Sequence, residues 1–227
     1  FAGSIWPFMG TFIYALSAET GEIIWQNEGN GAVYMKQPHN SPSFAGVAPQ
    51  GPFVLSGDKL LIPGGRSIPG CFDKNTGDML YFHLAKYNKS TGAFTCANDS
   101  FFFNHFRDRK TNIYKVSNGE IVARNVGKYP VMAKEAFYMS GDSILVRDVK
   151  NPRNILANIK VDAQTDLIKA GDKLYAAGNN KITCVQIIEN KAAQVLWQKD
   201  VENVERLIAA SGKLFAVTMD GKILAFG

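Results

Sequence analysis

Four residues in the first half of the chain have side chains that favour recognition: Trp6, Gln50, Arg66 and His105. Arg66 carries a planar fork of N–H donors that suits a carboxylate or another planar acceptor. Aromatic and arginine side chains are enriched at the centres of protein interfaces. We therefore predict a ligand- or partner-binding site at these residues. Two alternatives stay open: loop variation without function, and an Arg66 that bonds only a neighbouring loop carbonyl.

Residue types that support catalysis or metal binding are present but are not grouped into a motif. The cysteines lie alone in strand-like stretches, without the spacing of a metal site. The histidines occur in no nucleophile motif, and the Gly-Gly-Arg run at 64–66 precedes no helix that would make it a phosphate loop. The residues are Cys71, Cys96, Cys184, His39, His83 and His105. We predict no catalytic residue, no metal site and no cofactor.

Composition narrows the class of partner. The formal net charge is +5 over 227 residues, and lysine and arginine are dispersed through turns without a basic run. This pattern does not favour nucleic acid. No run approaches the roughly 18 to 20 apolar residues that span a bilayer, so no transmembrane segment is expected.

The elements that position these side chains are short apolar strands joined by glycine-containing turns. They form repeats with a period of about 40 residues, which is typical of β-propeller blades. Each full repeat reads as a four-stranded antiparallel meander, and such a sheet buries its faces only by stacking on its neighbours. We predict an all-β, single-domain β-propeller or propeller fragment over 1–227, with about six repeats visible, and we expect it to be part of a ring of seven or eight blades. The six repeats span 1–27, 47–84, 93–124, 130–161, 165–199 and 204–227.

The repeats deviate from one another on one side of the predicted fold. In a meander, the turns between second and third strands share a face with the links between blades. These turns are minimal in repeats 4 to 6 and longer in repeats 1 to 3, at Trp6–Gly10, Gly64–Ile68 and His105–Thr111. The link from Asn27 to Gln50 is expected to be structureless, and a loop that long is usually functional or disordered. The predicted site therefore lies on this face, around the channel mouth. Other residues of the same sector are Phe8, Tyr34, His39, Arg107 and Arg109.

Large aromatic residues recur on the outer strands. Trp25 and Trp197 close two of the repeats in the same register. Because large aromatic rings dominate packing where they recur, we expect both rings to be largely buried between neighbouring blades.

The segment 15–25, Ala-Leu-Ser-Ala-Glu-Thr-Gly-Glu-Ile-Ile-Trp, resembles the tryptophan-docking repeat of pyrroloquinoline-quinone-like propellers, Ala-x-Asp-x-x-x-Gly-x-x-x-Trp. It departs from that pattern at Ser17, where the family has Asp. The segment Cys71–Tyr81 keeps the acid at Asp73 and has tyrosine in place of tryptophan. The resemblance covers nearly the whole chain as a fold, and it is not specific for an activity.

Two functional branches follow from this resemblance. One is the quinoprotein dehydrogenases, which hold a quinone and calcium in the central channel. The other is non-enzymatic and includes the lipoprotein of the bacterial outer-membrane protein assembly machine. The enzymes usually carry adjacent cysteines and a set of acidic calcium ligands, and this sequence has neither.

The resemblance therefore favours the non-enzymatic branch. We predict a binding or scaffold propeller that uses the face over repeats 1 to 3 to hold another protein or a small ligand. Binding of a small molecule or saccharide in the central channel is the second hypothesis, and a quinone-dependent oxidoreductase is the third. A bacterial, periplasmic or otherwise extracytoplasmic location is expected from the same resemblance.

Overall fold

The computed structural model describes residues 12–29, 32–37, 40–64, 67–84, 92–105, 111–188 and 192–227. Within these ranges the regular structure consists of β-strands, and every strand pair is antiparallel. The chain divides into two compact units, Phe1–Arg124 and Asn125–Gly227, which we call unit 1 and unit 2.

Unit 1 contains two four-stranded sheets and two strand pairs. Blade 1 is the pair β1–β2, blade 2 is the sheet β5–β8 and blade 3 is the sheet β9–β12, while β3 and β4 form a separate hairpin. The strands are β1 (Phe12–Leu16), β2 (Ile23–Glu28), β3 (Ala32–Lys36), β4 (Pro42–Gly46), β5 (Val54–Ser56), β6 (Lys59–Ile62), β7 (Gly70–Asp73), β8 (Met79–Tyr81), β9 (Phe94–Ala97), β10 (Phe101–His105), β11 (Asn112–Lys115) and β12 (Ile121–Ala123).

Unit 2 contains two more four-stranded sheets and one of three strands. Blade 4 is β13–β16, blade 5 is β17–β20 and blade 6 is β21–β23, each in sequential order. The strands are β13 (Pro130–Met132), β14 (Ala136–Met139), β15 (Ile144–Asp148), β16 (Ile155–Ile159), β17 (Asp166–Ala170), β18 (Lys173–Gly178), β19 (Lys181–Ile188), β20 (Ala192–Asp200), β21 (Val204–Ala210), β22 (Lys213–Thr218) and β23 (Ile223–Phe226). The predicted four-stranded antiparallel meander is confirmed.

Successive blades within a unit bury their apolar faces against each other. One core cluster joins blades 2 and 3 through Leu61, Phe102 and Tyr114. Another joins blades 5 and 6 through Ile182 and Leu214. Because side chains alternate across a strand, each sheet has two faces, and within a unit adjacent blades cover the faces that meet.

The turn between the third and fourth strands of a blade is closed by one small polar residue. In blade 2, the Asp73 carboxylate accepts hydrogen bonds from the backbone N–H groups of Asn75 and Thr76 at 2.7 and 3.2 Å. In blade 1 the Ser17 hydroxyl accepts the equivalent bonds from Glu19 and Thr20 at 3.3 and 3.2 Å. Ser17 therefore closes its turn as Asp73 does, although it differs from the repeat pattern.

The glycine of this turn receives an aromatic ring from the preceding blade. The Trp25 indole N–H donates to the Lys74 carbonyl at 2.8 Å, and a Cβ added at Gly77 would lie 2.4 Å from the Trp25 ring. Tyr81 does the same one blade later. Its hydroxyl donates to the Val116 carbonyl at 2.9 Å, and its ring lies against Gly119. The expected wedge of Trp25 between blades is confirmed, with the ring half-buried.

Trp197 differs from this arrangement. Its ring is 36% exposed and contacts Tyr175 of its own blade and Phe226 of blade 6, with ring centroids 6.1 and 6.4 Å apart. The expectation that it is largely buried is therefore wrong. The physical reason is local. Trp25 and Tyr81 pack on a turn glycine of the next blade, whereas the Trp197 ring is tilted by 49° and 32° against the rings of Tyr175 and Phe226, and these contacts cover only part of it.

The link between blades 1 and 2 is also not as expected. The sequence was expected to be structureless from Asn27 to Gln50, but β2 extends to Glu28, and β3 and β4 pair as a hairpin from Ala32↔Gly46 to Lys36↔Pro42. Its strands are short and lack the glycine-containing turn of the blades, so the repeat pattern does not reveal them.

Candidate functional site

The β3–β4 hairpin presents an aromatic pair. Tyr34 and Phe44 are directly opposite each other across the two strands. Their ring centroids are 5.1 Å apart in an edge-to-face arrangement with an interplanar angle of 68°. The side chains are 62% and 51% exposed. We call the exposed residues Tyr34, Phe44 and Gln50 of this link the link surface.

The opposite face of the hairpin is attached to the core. Val33, Met35 and Ala45 pack against a cluster that includes Ile13 and Phe72, from blades 1 and 2. Since neighbouring residues of a strand point to opposite faces, this burial directs Tyr34 and Phe44 outward. The aromatic pair is thus carried by an anchored element.

The segment after β4 is held closely against blade 2. Val47 is fully buried, and a Cβ added at Gly70 would lie 2.5 Å from a methyl carbon of Val47. Gly64 also lies near this segment, because a Cβ there would be 3.8 Å from the Ala48 carbonyl oxygen. The end of the link therefore lies along the loop that joins β6 and β7.

Two backbone contacts continue this path to blade 3. The Gln50 N–H donates to the Pro63 carbonyl at 2.9 Å. A Cβ added at Gly51 would lie 1.7 Å from the Ala93 carbonyl oxygen, so the lack of a side chain at residue 51 lets these two segments of the chain approach closely. The next residue, Phe94, pairs with His105 at the start of the loop between β10 and β11. The backbone near Gln50 is thus joined through successive contacts to the loops of blades 2 and 3.

The predicted site residues are described to different extents. Gln50 is exposed on the link. The backbone of His105 ends β10, and its side chain lies outside the described structure. Trp6 and Arg66 both lie outside the described residues, as do Phe8, His39, Arg107 and Arg109. Their convergence with Gln50 stays a prediction.

Buried polar residues support the base of the β10–β11 loop. The Thr111 hydroxyl donates to the Asn104 carbonyl at 2.7 Å, and both residues are fully buried. The Asn104 amide nitrogen, in the orientation that satisfies its neighbours, lies 3.0 Å from the Thr95 hydroxyl and 3.0 Å from the Gly92 carbonyl. These bonds fix where the loop leaves the sheet and tie it to the segment that enters blade 3.

His83 takes part in blade docking. One of its ring nitrogens, Nε2, lies 2.9 Å from the Asn118 carbonyl oxygen, and its ring stacks on Tyr81 with centroids 5.4 Å apart. Burial raises the pKa of Tyr81 well above its ordinary value, and the nearby Cys71 thiol raises it further. The Tyr81 hydroxyl therefore stays a neutral donor. This pair is explained by packing between blades 2 and 3.

The side chains of the link surface are suited to non-covalent contact with another molecule. In the part of the chain that the structure describes, no three His, Cys, Asp or Glu side chains are grouped so that they could hold a metal ion. Within the same residues, no helix has the length and apolarity needed to cross a membrane. What the link offers is two exposed aromatic rings and an amide. Sequence reasoning missed Phe44, because Pro-Ser-Phe-Ala-Gly at 42–46 has no strict alternation of apolar and polar residues that would indicate a strand.

No family model matches the chain, and no curated protein matches it. Similar solved structures do exist. BamB from Moraxella catarrhalis has a TM-score of 0.60 at 13% identity, over 95% of this chain and 70% of that one. Hsv2 from Kluyveromyces lactis has a TM-score of 0.52 at 14% identity, over 77% of this chain and 59% of that one.

A third similar structure is PorZ, a bacterial surface component of the type-IX secretion system of Porphyromonas gingivalis. Its TM-score is 0.55 at 12% identity, over 80% of this chain and 27% of that one. BamB and Hsv2 are β-propellers. Together with the repeated antiparallel sheets, these similarities show that the chain has a β-propeller fold with about six blades.

Proposed function

We propose that this chain is a non-catalytic binding propeller that holds a protein partner on unit 1. The link surface is the centre of the proposed contact, and Trp6, Arg66 and His105 belong to the same proposal. The observation that carries it is the extra hairpin, which belongs to no blade and presents two exposed aromatic rings. Exposed aromatic residues on a fixed element are typical anchors of protein interfaces.

The contrast between the two units supports this choice. In unit 2 the turn between β18 and β19 consists of Asn179 and Asn180, both with positive φ, as a two-residue hairpin requires. The link between blades 5 and 6 is only 201–203. In unit 1 the link contains an additional pair of strands. Extra residues on one sector of a repeated scaffold are where binding loops usually occur.

The test is site-specific photo-crosslinking in cells that produce the protein naturally. A benzophenone amino acid replaces Tyr34 in one variant and Ile155 in a matched control. Ile155 is also on a strand, lies in unit 2 and is 55% exposed. We expect a discrete protein adduct from position 34, its loss when Phe44→Ala is added, and no such adduct from position 155.

Two results would contradict the proposal. One is the same adduct pattern from positions 34 and 155, which indicates non-specific collision. The other is the absence of any protein adduct from position 34, which favours a small ligand or no ligand at this surface. Far-UV circular dichroism of the purified variants checks that each one is folded.

An extracytoplasmic location is part of the proposal. It is supported by the similarity to PorZ, a bacterial surface component. Fractionation of the same cells tests it, because recovery of the protein in the cytoplasmic fraction alone excludes this location.

A further inference from the structure

The outward face of the β3–β4 hairpin carries more than its two aromatic rings. Side chains two positions apart on a strand share a face, so Lys36 lies on the face of Tyr34, and Pro42 lies on the face of Phe44. Lys36 and Pro42 are directly opposite each other, and both are exposed. The outward face therefore presents two aromatic rings, a proline ring and a lysine.

The edges of the hairpin are poorly suited to pairing with a further strand. The Gln37 N–H donates to the Ser41 carbonyl at 3.1 Å, and hydrogen-bonded pairs alternate along an antiparallel ladder. The backbone groups of Lys36 and Pro42 therefore point away from the partner strand, toward the outer edges. Proline has no N–H to donate there, and an edge lysine is a usual obstacle to strand addition. A partner is thus expected on the aromatic face rather than along an edge.

The two aromatic rings meet at a large angle. The planes of Tyr34 and Phe44 are inclined at 68° with centroids 5.1 Å apart, and more than half of each side chain is exposed. Two flat apolar surfaces at such an angle form a notch that suits a compact, rigid ring such as that of proline. Grooves lined by aromatic rings are the usual receptors of proline-rich segments in polyproline II conformation.

The polar groups beside the rings are hydrogen-bond donors. A polyproline II segment has no internal hydrogen bonds, so its carbonyl groups need donors, and its prolines offer none in return. The Tyr34 hydroxyl and the Lys36 ammonium can supply them. Between Gly29 and Gln50 the sequence contains no Asp or Glu, and Lys36 is its only Lys or Arg. The charge of this face therefore favours an acidic residue next to the prolines.

We infer that the link surface binds a proline-rich segment of its partner in polyproline II conformation, with a carboxylate of that segment facing Lys36. A proline ring packs in the notch between Tyr34 and Phe44, and the Tyr34 hydroxyl donates to a carbonyl of the segment. This inference rests on the function proposed above and specifies the chemistry of the partner. A preformed polyproline II segment loses little conformational entropy on binding, so a surface of two rings can hold it.

The binding test uses the intact purified protein and a fluorescein-labelled oligoproline peptide with a glutamate at each end. Fluorescence anisotropy is the readout. We expect saturable binding that weakens when lysine replaces the two glutamates. A glycine–serine peptide with the same terminal glutamates is not preorganised and should not bind. A peptide of alternating valine and threonine with the same ends tests strand addition and should not bind either.

Variants of the outward face assign the binding to it. Tyr34→Ala and Phe44→Ala should each weaken binding by about tenfold or more. Tyr34→Phe keeps the ring and removes the donor, so it should weaken binding by about two- to tenfold. Ile155→Ala is the matched control at an exposed strand residue of unit 2 and should bind as the wild type does. Lys36→Glu should reverse the preference toward the peptide with terminal lysines, whereas Lys150→Glu, at an exposed turn residue, should not.

Four outcomes would overturn the inference. One is the absence of saturable binding of the oligoproline peptide. Binding of the valine–threonine peptide in its place shows strand addition. Equal binding of the glycine–serine peptide shows attraction of charge alone. Equal weakening by Ile155→Ala shows that the peptide does not bind at the link surface.

The function proposed for the link surface can fail separately from this inference. If position 34 gives a discrete adduct in cells, mass spectrometry of the cross-linked segment should find a proline-rich sequence. An adduct whose cross-linked segment lacks such a sequence leaves the proposed function standing and shows that the inference is wrong. Oligoproline binding without any protein adduct shows that the proposed function is wrong, although the surface keeps its preference for proline.

Discussion

The docking of Trp25 on Gly77 can be tested by one substitution with a matched control in the same chain. Gly77 and Gly21 occupy equivalent turns in blades 2 and 1, and both have positive φ, +79° and +75°. A Cβ at Gly77 would lie 2.4 Å from the Trp25 ring, whereas a Cβ at Gly21 has no atom within 4 Å. Gly77→Ala and Gly21→Ala therefore share the backbone strain and differ in the contact with the ring.

The expected costs follow from this difference. Alanine in the left-handed region costs roughly 1 to 2 kcal/mol at either site. At Gly77 the ring must also move away, which adds the cost of overpacking, about 1 to 3 kcal/mol. That movement breaks the 2.8 Å bond from Trp25 to the Lys74 carbonyl, worth about 1 kcal/mol. We expect Gly77→Ala to lower the free energy of unfolding by about 3 to 6 kcal/mol and Gly21→Ala by about 1 to 2 kcal/mol.

The assay is urea unfolding followed by far-UV circular dichroism, for both alanine variants with and without Trp25→Ala. In the Trp25→Ala background the contact is already absent, so Gly77→Ala should cost only as much as Gly21→Ala. The cycle thus measures the coupling between residues 25 and 77 directly. Equal costs for the two glycine variants in the wild-type background would refute the reasoning. So would a cost of Gly77→Ala that is unchanged by Trp25→Ala.

Three further predictions concern packing between blades and the buried thiols. Tyr81→Phe should cost about 1 to 3 kcal/mol in urea unfolding, because the Val116 carbonyl loses its donor; an unchanged midpoint would show that the bond contributes nothing. Asp166→Asn should cost about 1.5 to 3 kcal/mol, because the Asp166 carboxylate accepts from the Leu207 N–H at 2.8 Å and lies near Arg206. The control for it is Asp142→Asn in an exposed turn, and equal effects of the two would contradict the prediction. Burial raises the pKa of the Cys71 and Cys184 thiols. Unfolded thiols ionise at about pH 8.5 while the buried ones stay neutral, so the free energy of unfolding should fall as the pH rises above that value. Cys71→Ser, Cys184→Ser should reduce this alkaline slope, and an unchanged slope would assign it to other groups.

The strands of the blades could be read from the sequence because local rules determine them. Alternating apolar residues and turns such as Ala170–Lys173 specify a hairpin without help from distant parts of the chain. The same rules identified Trp25 as a wedge, since its repeat contains both the ring and the glycine-containing turn. The substitution at Ser17 did not alter the turn, because a hydroxyl oxygen can accept the same two backbone N–H bonds as a carboxylate.

The link was misread because its strands do not belong to the repeat. Tyr34 and Phe44 are brought opposite each other by pairing within the hairpin, and they are directed outward because Val33, Met35 and Ala45 pack on blades 1 and 2. Neither effect can be seen in the spacing of the blade motif. Gln50 was placed on this face by its position in the link. The bond from its N–H to the Pro63 carbonyl could not be predicted, because it depends on how the link packs against blade 2.

The period, the antiparallel meanders and the kind of residue that closes each turn follow from the amino-acid sequence alone, because they depend on neighbours a few positions apart. The covering of the aromatic rings instead depends on how blades pack against each other. Trp25 and Trp197 occupy equivalent fourth strands, yet Trp25 lies on Gly77 of the next blade and Trp197 lies beside Tyr175 and Phe226 with 36% of its surface exposed. Burial depends on what the next blade places over the ring, and that is a property of packing between distant segments.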